Sequence, residues 1–280
     1  MKVVIMILLV ASIKDPASQN IKIQLLKNYV FSKTDKTYEG SPIYVADVNE
    51  KKVSLITLNR ESVTAQDLPQ QFPQAKLIVF ISRHSSQSAK PTLTVHTPGN
   101  FGDAELGGLP KQLSICPAVA MQTALKALVH YQEQFRLVNY EVSYEVTHHG
   151  PSLRVPTMFV ELGSSPEQWS DSVAAEAVGH SAMTAIANFE DTPSSAVLGI
   201  GGTHYNQQFT LRSLLGAATF GHMIPKYAVA GIDADMVRHC VERTFDRVQL
   251  ALLDWKGIKS EDKPALLAAL EEAGLPYQRI

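Results

Sequence analysis

Apolar positions along this chain fall into short continuous blocks at residues 3–10, 43–48, 53–58, 77–81, 93–96, 141–147, 157–162, 196–200 and 227–230. Blocks of this length, rich in Val, Ile and Leu, read as strands, and those apolar throughout read as strands buried on both faces. Longer segments of helical character alternate with them. Residues 114–134 form one, with Pro117 in the first turn, where a missing N–H costs little. Ser165-Pro166-Glu167-Gln168 has the form of a capping box, and the helix it opens is expected to run to about residue 187. Helices are also expected over 209–218, 233–255 and 264–273, with Gly257 and Gly274 just past the ends of the last two. This alternation predicts an α/β fold, a mixed and largely parallel sheet flanked by helices. Residues 39–64 alternate like a small antiparallel hairpin, added at an edge of a single domain over 1–280. No internal repeat and no low-complexity linker divides the chain.

Composition narrows the function classes. Hydrophobic residues make up 45% of 280 and charged residues 19%, enough to bury a sizeable core. The net charge of −2 excludes the strongly basic surface that grips long nucleic acid, so no long nucleic-acid groove is expected. Cys116 and Cys240 have no paired spacing, which disfavours a disulfide framework and a thiolate zinc site and suits two buried apolar side chains in a reducing cytoplasm. The apolar run after Met1-Lys2 reads as a buried first strand. It is short for a secretion signal, and no small-x-small cleavage site precedes Lys14-Asp15-Pro16. No run is long enough to cross a bilayer.

Candidate chemistry lies where the apolar blocks end. Five of the nine histidines sit in short polar segments at or just past such ends: Ser82-Arg83-His84-Ser85-Ser86, His96-Thr97-Pro98-Gly99-Asn100, Thr147-His148-His149-Gly150-Pro151 and Gly199-Ile200-Gly201-Gly202-Thr203-His204. Ligands of open α/β sheets bind beyond the carboxyl ends of strands, and neutral imidazoles are metal ligands. Residues 82–86 offer hydroxyls, a guanidinium and amides to a phosphate or carboxylate, although an ordinary polar turn explains them at least as well. His96 precedes a Pro-Gly turn and reads equally as ligand or incidental residue. Adjacent residues of an extended segment point to opposite sides. His148 and His149 therefore share a site only if the backbone bends, for which Gly150-Pro151 is placed; otherwise one is a ligand and the other orients a neighbour. Glu161 stands inside an apolar block, which is costly unless it is paired, protonated or metal-bound, and favours a role as ligand or general base. Residues 199–205 lack GxGxxG and GK[ST], so dinucleotide and P-loop readings fail. His222 is a weaker candidate, and His130, His180 and His239 read as ordinary helix residues. There is no GxSxG and no HExxH, and neither cysteine neighbours a histidine-rich segment. A site of His and Glu fitted to metal-assisted hydrolysis remains.

Six segments in order resemble the D-aminoacyl-tRNA deacylase family of the archaeal and plant type. They are Asp15-Pro16-Ala17-Ser18 with Asn20, Ser82-Arg83-His84-Ser85, His96-Thr97-Pro98-Gly99-Asn100, Glu145-Val146-Thr147-His148-His149-Gly150-Pro151, Phe159-Val160-Glu161-Leu162-Gly163-Ser164 and Gly199-Ile200-Gly201-Gly202-Thr203-His204-Tyr205. The resemblance covers nearly the whole chain; the stretch from about Ser260 carries no landmark. It implies a phosphorylase/peptidyl-tRNA-hydrolase-like fold and a zinc-dependent hydrolase that removes D-amino acids from mischarged tRNA. The partner would be the aminoacylated end of D-aminoacyl-tRNA, met by a cytoplasmic monomer. On this reading the zinc ligands come from His96, His148, His149 and His204, and Glu161, His149 and His84 are catalytic. Asp15, Arg83, Ser85, Ser86, Asn100, Gly201, Gly202 and Tyr205 contact substrate, with backbone amides of 199–202 at the oxyanion. Two alternatives stand beside it: a metal-dependent hydrolase or phosphorylase of a small metabolite, and a non-catalytic RNA- or metal-binding module.

Overall fold

A computed structural model describes residues 5–87 and 89–280; Met1 to Val4, including the start of the expected first strand, lie outside the described residues. The larger of two sheets has eight strands in the order β2-β3-β4-β1-β5-β8-β6-β7. Its centre is parallel: β4 (Lys51–Leu58), β1 (Ile5–Ser12), β5 (Ala75–Arg83) and β8 (Thr157–Gly163). At one margin β2 (Ser32–Tyr38) and β3 (Ser41–Val48) are antiparallel. At the other, β6 (Thr92–His96) runs against β8, and β7 (Glu141–Tyr144) runs parallel to β6. The hairpin expected over 39–64 is β3–β4. Because β4 also pairs with β1, only β2 and β3 form an added margin.

Helices α1 (Pro16–Asn28), α3 (Ala118–Gln134) and α5 (Ser172–Asn188) cover one face of this sheet. Ile7, Leu9, Val79 and Val160 are fully buried there. Leu8, Val10, Phe80 and Phe159 are buried on the opposite face, against Leu153 and Leu68 of the short α2 (Leu68–Gln71). Burial on both faces is why these strands read as unbroken apolar runs.

The smaller sheet is entirely parallel, in the order β10 (Phe220–Ile224), β9 (Ser195–Ile200), β11 (Arg247–Leu253) and β12 (Tyr277–Arg279). The single sheet expected from the sequence is thus divided in two. Phe209, Phe220 and Met223 join the main core, while Leu198, Ile224, Val237 and Leu266 pack into a second cluster with α7 (Ala234–Glu242) and α8 (Lys263–Glu272). No helix among the described residues is long and apolar enough to cross a membrane.

Three expected elements differ. The helix expected over 233–255 stops at Glu242, and 247–253 is a strand of the smaller sheet. Asp246 anchors the turn between them by accepting from the amides of Val119 and Ser194, and β9 and β12 offer backbone partners on both sides. Residues 227–230 are a turn; the strand is β10, which contains His222 and ends before Pro225. The capping box opens only the single turn α4 (Pro166–Trp169), since Ser165 Oγ donates to Gln168 Oε1 (2.7 Å) instead of capping backbone. Asp171 starts α5 afresh, accepting from the amides of Val173 and Ala174. Helix α6 (Gln207–Leu214) lies near the expected 209–218 and is capped by Asn206.

Register sets the scene for the chemistry. Because β6 and β7 oppose β8, their carboxyl ends stop beside the middle of β8. Ser82, Glu161, Thr94 and Ser143 form one row across four strands, and Phe80, Phe159 and His96 form a second row. Both rows share a face, since side chains two apart on a strand point the same way. Beyond β7 the chain leaves the larger sheet for the smaller one. The amide of Glu145 donates to the carbonyl of Val95, that of Val146 to His204, and that of Thr147 to Met223.

Candidate active site

The seam between the sheets gathers the five histidines that the sequence singles out. Ring centroids of His96, His148 and His149 are 4.3 to 4.8 Å apart, His204 is 4.6 Å from His148, and His84 is 5.9 Å from His204. His84, His148, His149, His204 and Glu161 line a cavity of about 560 Å³, with Val63, Leu106 and Phe159 as apolar walls. His96 lies behind them, fully buried and stacked on Phe159 at 5.0 Å.

Backbone geometry lets neighbouring histidines share the site. His149 has φ +41°, a left-handed conformation that side chains other than glycine's seldom adopt. The bend falls on His149 itself, one residue before the expected Gly150-Pro151. It overrides the alternation of an extended chain and turns both rings inward. The amide of Gly99 holds this turn through the carbonyl of His149 (2.7 Å). At the end of β8, Gly163 admits His84 closely: a Cβ there would stand 2.7 Å from the Cβ of His84.

Two buried glutamates organise the imidazoles. Glu145 Oε2 lies 2.8 Å from His204 Nε2 and 3.5 Å from His148 Nε2. Its Oε1 is 3.0 Å from His84 Nδ1, close enough for an ion pair but off the line of a hydrogen bond. Ser82 Oγ donates to Glu161 Oε1 (2.7 Å), while Glu161 Oε2 stands 3.6 Å from His84 and 3.7 Å from His96. Tyr205 meets His84 Nε2 at 2.6 Å. The Nδ1 atoms of His148 and His149 face the carbonyls of Val146 (2.8 Å) and Gly150 (2.6 Å). A carbonyl only accepts, so each Nδ1 carries the proton and each Nε2 keeps its lone pair.

Electrostatics sorts these groups. Burial opposes a charge on His84, but attraction to Glu145 and Glu161 outweighs it and lifts the pKa to about 11. Burial likewise favours neutral glutamates, yet His84 and His96 beside them hold both carboxyls well below the usual range. Burial and then the charge of His96 push His148 down, and His149 down to about 4, so this pair is neutral.

Known proteins are similar to this chain over most of its length. A profile described as D-aminoacyl-tRNA deacylase matches residues 71–278. The D-aminoacyl-tRNA deacylase of Thermococcus kodakarensis is 35% identical over 95% of this chain and 96% of its own length. That of Methanococcus maripaludis is 34% identical over 98% and 99%. The chain belongs to the D-aminoacyl-tRNA deacylase family. A crystal structure described as a conserved protein of unknown function, AF0625, superposes with a TM-score of 0.86 at 30% identity, over 100% of this chain and 96% of that one.

In this deacylase-family chain the donor set suits a cation. Both ring nitrogens of His96 are buried without a hydrogen-bond partner, as is Thr94 Oγ1 beside Glu161. An unsatisfied buried polar atom costs roughly 1–3 kcal/mol, which a bound ion would offset at His96. His96, His148 and His149 bring ligand atoms within 4.8 Å of one another, and so do His84, Glu145 and His204, and His96, Glu145 and Glu161. Imidazole nitrogen with carboxylate oxygen fits zinc.

The other expected residues divide. Asp15 lines the cavity, accepts from the amides of Ser18 and Arg83, and is pushed up to about 6 by burial. Ser85 also lines it. Ser86 is outside the wall, its amide 3.3 Å from the carbonyl of Ser164. Arg83 is not a free anion anchor, because Glu61 and the carbonyl of Lys14 take its guanidinium. His84 lines the cavity, but Glu145 and Tyr205 engage its two nitrogens, so Tyr205 orients a histidine instead of lining the cavity. Asn100 faces a second hollow and donates to the carbonyls of Gly107 and Leu109. Gly201 and Gly202 lie outside the cavity, and the amide of Gly201 is spent on the carbonyl of Ile224 (2.8 Å), so it is no oxyanion donor. Glycine is needed at 201 because a Cβ would stand 2.8 Å from the carbonyl oxygen of Asp254. Sequence reasoning assigned no role to Glu145. The signal was present: a carboxylate within the apolar block 141–147, the same argument that selected Glu161.

Proposed function

We propose that this chain hydrolyses the ester joining a D-amino acid to the terminal ribose of tRNA, using zinc held by His96, His148 and His149 with Glu161, Glu145 and His204 around it. Family membership supports the substrate. The metal rests on one observation: fully buried His96, among neutral imidazoles and carboxylates, makes no hydrogen bond through either ring nitrogen and has Glu161 Oε2 3.7 Å from Nε2. Bound there, zinc would polarise the carbonyl and supply a water of pKa about 7.

The chain's own residues do the rest. His148 and His149 turn Nε2 inward because backbone carbonyls hold their other nitrogens. Glu161, fixed through Oε1 by Ser82, reaches the cavity with Oε2 and accepts a hydrogen bond from the attacking water. His84, charged between Glu145 and Glu161, holds both carboxylates in place, and Tyr205 sets its ring. Water adds to the carbonyl carbon and the bond to the ribose oxygen breaks. The ribose leaves as an alcohol with the proton the water released. Val63, Leu106 and Phe159 exclude solvent around the ester and strengthen these interactions. On this reading the chain acts as a monomer in the cytoplasm, where its substrate is used.

Zinc content measured together with hydrolysis of matched D-Tyr-tRNA and L-Tyr-tRNA tests this reading. Chelation is expected to abolish turnover of the D-substrate, zinc to restore it, and the L-substrate to be spared. Full activity in a verified metal-free preparation removes the metal. Equal turnover of both substrates removes the chiral selectivity, and turnover of neither removes the deacylase.

A further inference from the structure

A second hollow of about 390 Å³ lies on the far side of His148 and His149, which line both cavities. One acid, Asp103, lines it, against Asp15, Glu61 and Glu161 in the first. Phe101 packs half-buried against the core of the smaller sheet, and Tyr227 is 63% exposed. The backbone of Gly99, Gly102 and Gly231 completes much of the surface. One residue before Tyr227, exposed Lys226 borders a third hollow of about 430 Å³, whose lining also holds Lys90, Glu141 and Asp254. The proposed chemistry uses none of these aromatic or basic side chains.

We propose, resting on the deacylase reading, that Phe101 and Tyr227 form the subsite for the terminal adenine of tRNA and that Lys226 meets the 5′-phosphate of that adenosine. Three arguments converge. Single-stranded RNA ends are recognised by stacking unpaired bases on aromatic side chains, and the phosphate is positioned by lysine or arginine. The two histidines shared by both cavities bring a base stacked on Tyr227 next to the groups that act on the ester. The first cavity, in contrast, suits a nucleotide poorly. Asp15, Glu61 and Glu161 line it, and its arginine, Arg83, is already neutralised by Glu61. The cationic side chains of that cavity are already paired, Arg83 with Glu61 and His84 with Glu145, so the nucleoside is taken to enter over Tyr227 with only the acyl group facing the first cavity.

Calorimetric binding of 5′-AMP and adenosine to the full chain tests the subsite directly. Tyr227→Ala is expected to weaken both ligands roughly tenfold, the usual effect of losing one base-stacking side chain, and Tyr227→Phe to retain both. Lys226→Gln is expected to weaken 5′-AMP and spare adenosine. In hydrolysis, the ratio of kcat/KM for the 3′-D-tyrosyl ester of adenosine over D-tyrosine methyl ester is expected to fall roughly tenfold in Tyr227→Ala. The proposal is overturned if Tyr227→Ala leaves AMP affinity and this ratio unmoved. It is also overturned if that variant changes the preference among D-amino acids, which would assign the hollow to the amino-acid side chain. If the wild-type chain hydrolyses neither these esters nor D-Tyr-tRNA, the deacylase reading fails, while AMP affinity in Tyr227→Ala still decides the subsite.

Discussion

Glu145 Oε2 and His204 Nε2 meet at 2.8 Å across 59 residues of chain, and their contact clasps the continuation of β7 to the loop after β9. The same carboxylate faces His84 and His148. Glu145→Gln keeps the shape and removes the charge. We expect zinc affinity to fall 10- to 100-fold, as when a group supporting metal ligands is lost, and urea denaturation to show a loss of about 3 kcal/mol from the broken buried pairs. Activity that merely tracks the folded fraction would make Glu145 a structural residue only.

His149 occupies a left-handed backbone conformation that glycine adopts without strain. His149→Gly should therefore abolish metal-dependent turnover while changing stability by less than about 1 kcal/mol, because relief of strain offsets the lost packing. A destabilisation of several kcal/mol, with activity per folded molecule preserved, would place the value of His149 in the fold.

Stability of the metal-free chain should peak between weak acid and neutral pH. Burial holds His149 and His222 down at about 4, against an ordinary 6.5. The unfolded chain binds more protons between those values, so stability falls as pH drops from 6.5 towards 4. His84 is held up at about 11. Its contribution is complete below 6.5 and is lost as pH rises towards 11, because only the folded chain keeps that proton. Urea denaturation in chelator between pH 7 and 9 is expected to show a decline that His84→Gln flattens. An unchanged slope in that variant would mean that His84 is not charged between its glutamates.

Gly163→Ala probes the close approach of β8 to His84. The added Cβ would stand 2.7 Å from His84 Cβ and 3.0 Å from its Cδ2. His84 Cβ is bonded to the backbone and cannot swing aside, so the side chain must shift and its contacts with Glu145 and Tyr205 are disturbed. Turnover should fall at least tenfold, by analogy with other small displacements in active sites, with KM little changed. Wild-type turnover would show that His84 need not sit where it does.

Much of the fold was legible where burial on both faces left long apolar blocks, as in β5 and β8. It was illegible where composition suits either state. Residues 247–253 carry Val, Leu and Ala at spacings that a helix also satisfies, and β9 and β12 alone decide in favour of strand. The histidines announced themselves by recurring after apolar blocks, and Glu161 by standing as a carboxylate inside one. Arg83, Gly201 and Gly202 stood out because their types suit anion binding, while the contacts that Glu61 makes with the guanidinium and Asp254 with the glycines come from residues distant in sequence.

Local chemistry by itself determined most strands of the larger sheet, the imidazoles and the family landmarks, because each depends on residues close together in the chain. Only the tertiary structure decided that two sheets meet at residues 145–147, that His148 and His149 face one way, and that Glu145 sits among three histidines. These depend on backbone torsion and strand pairing between distant segments, which residue order along one segment does not encode.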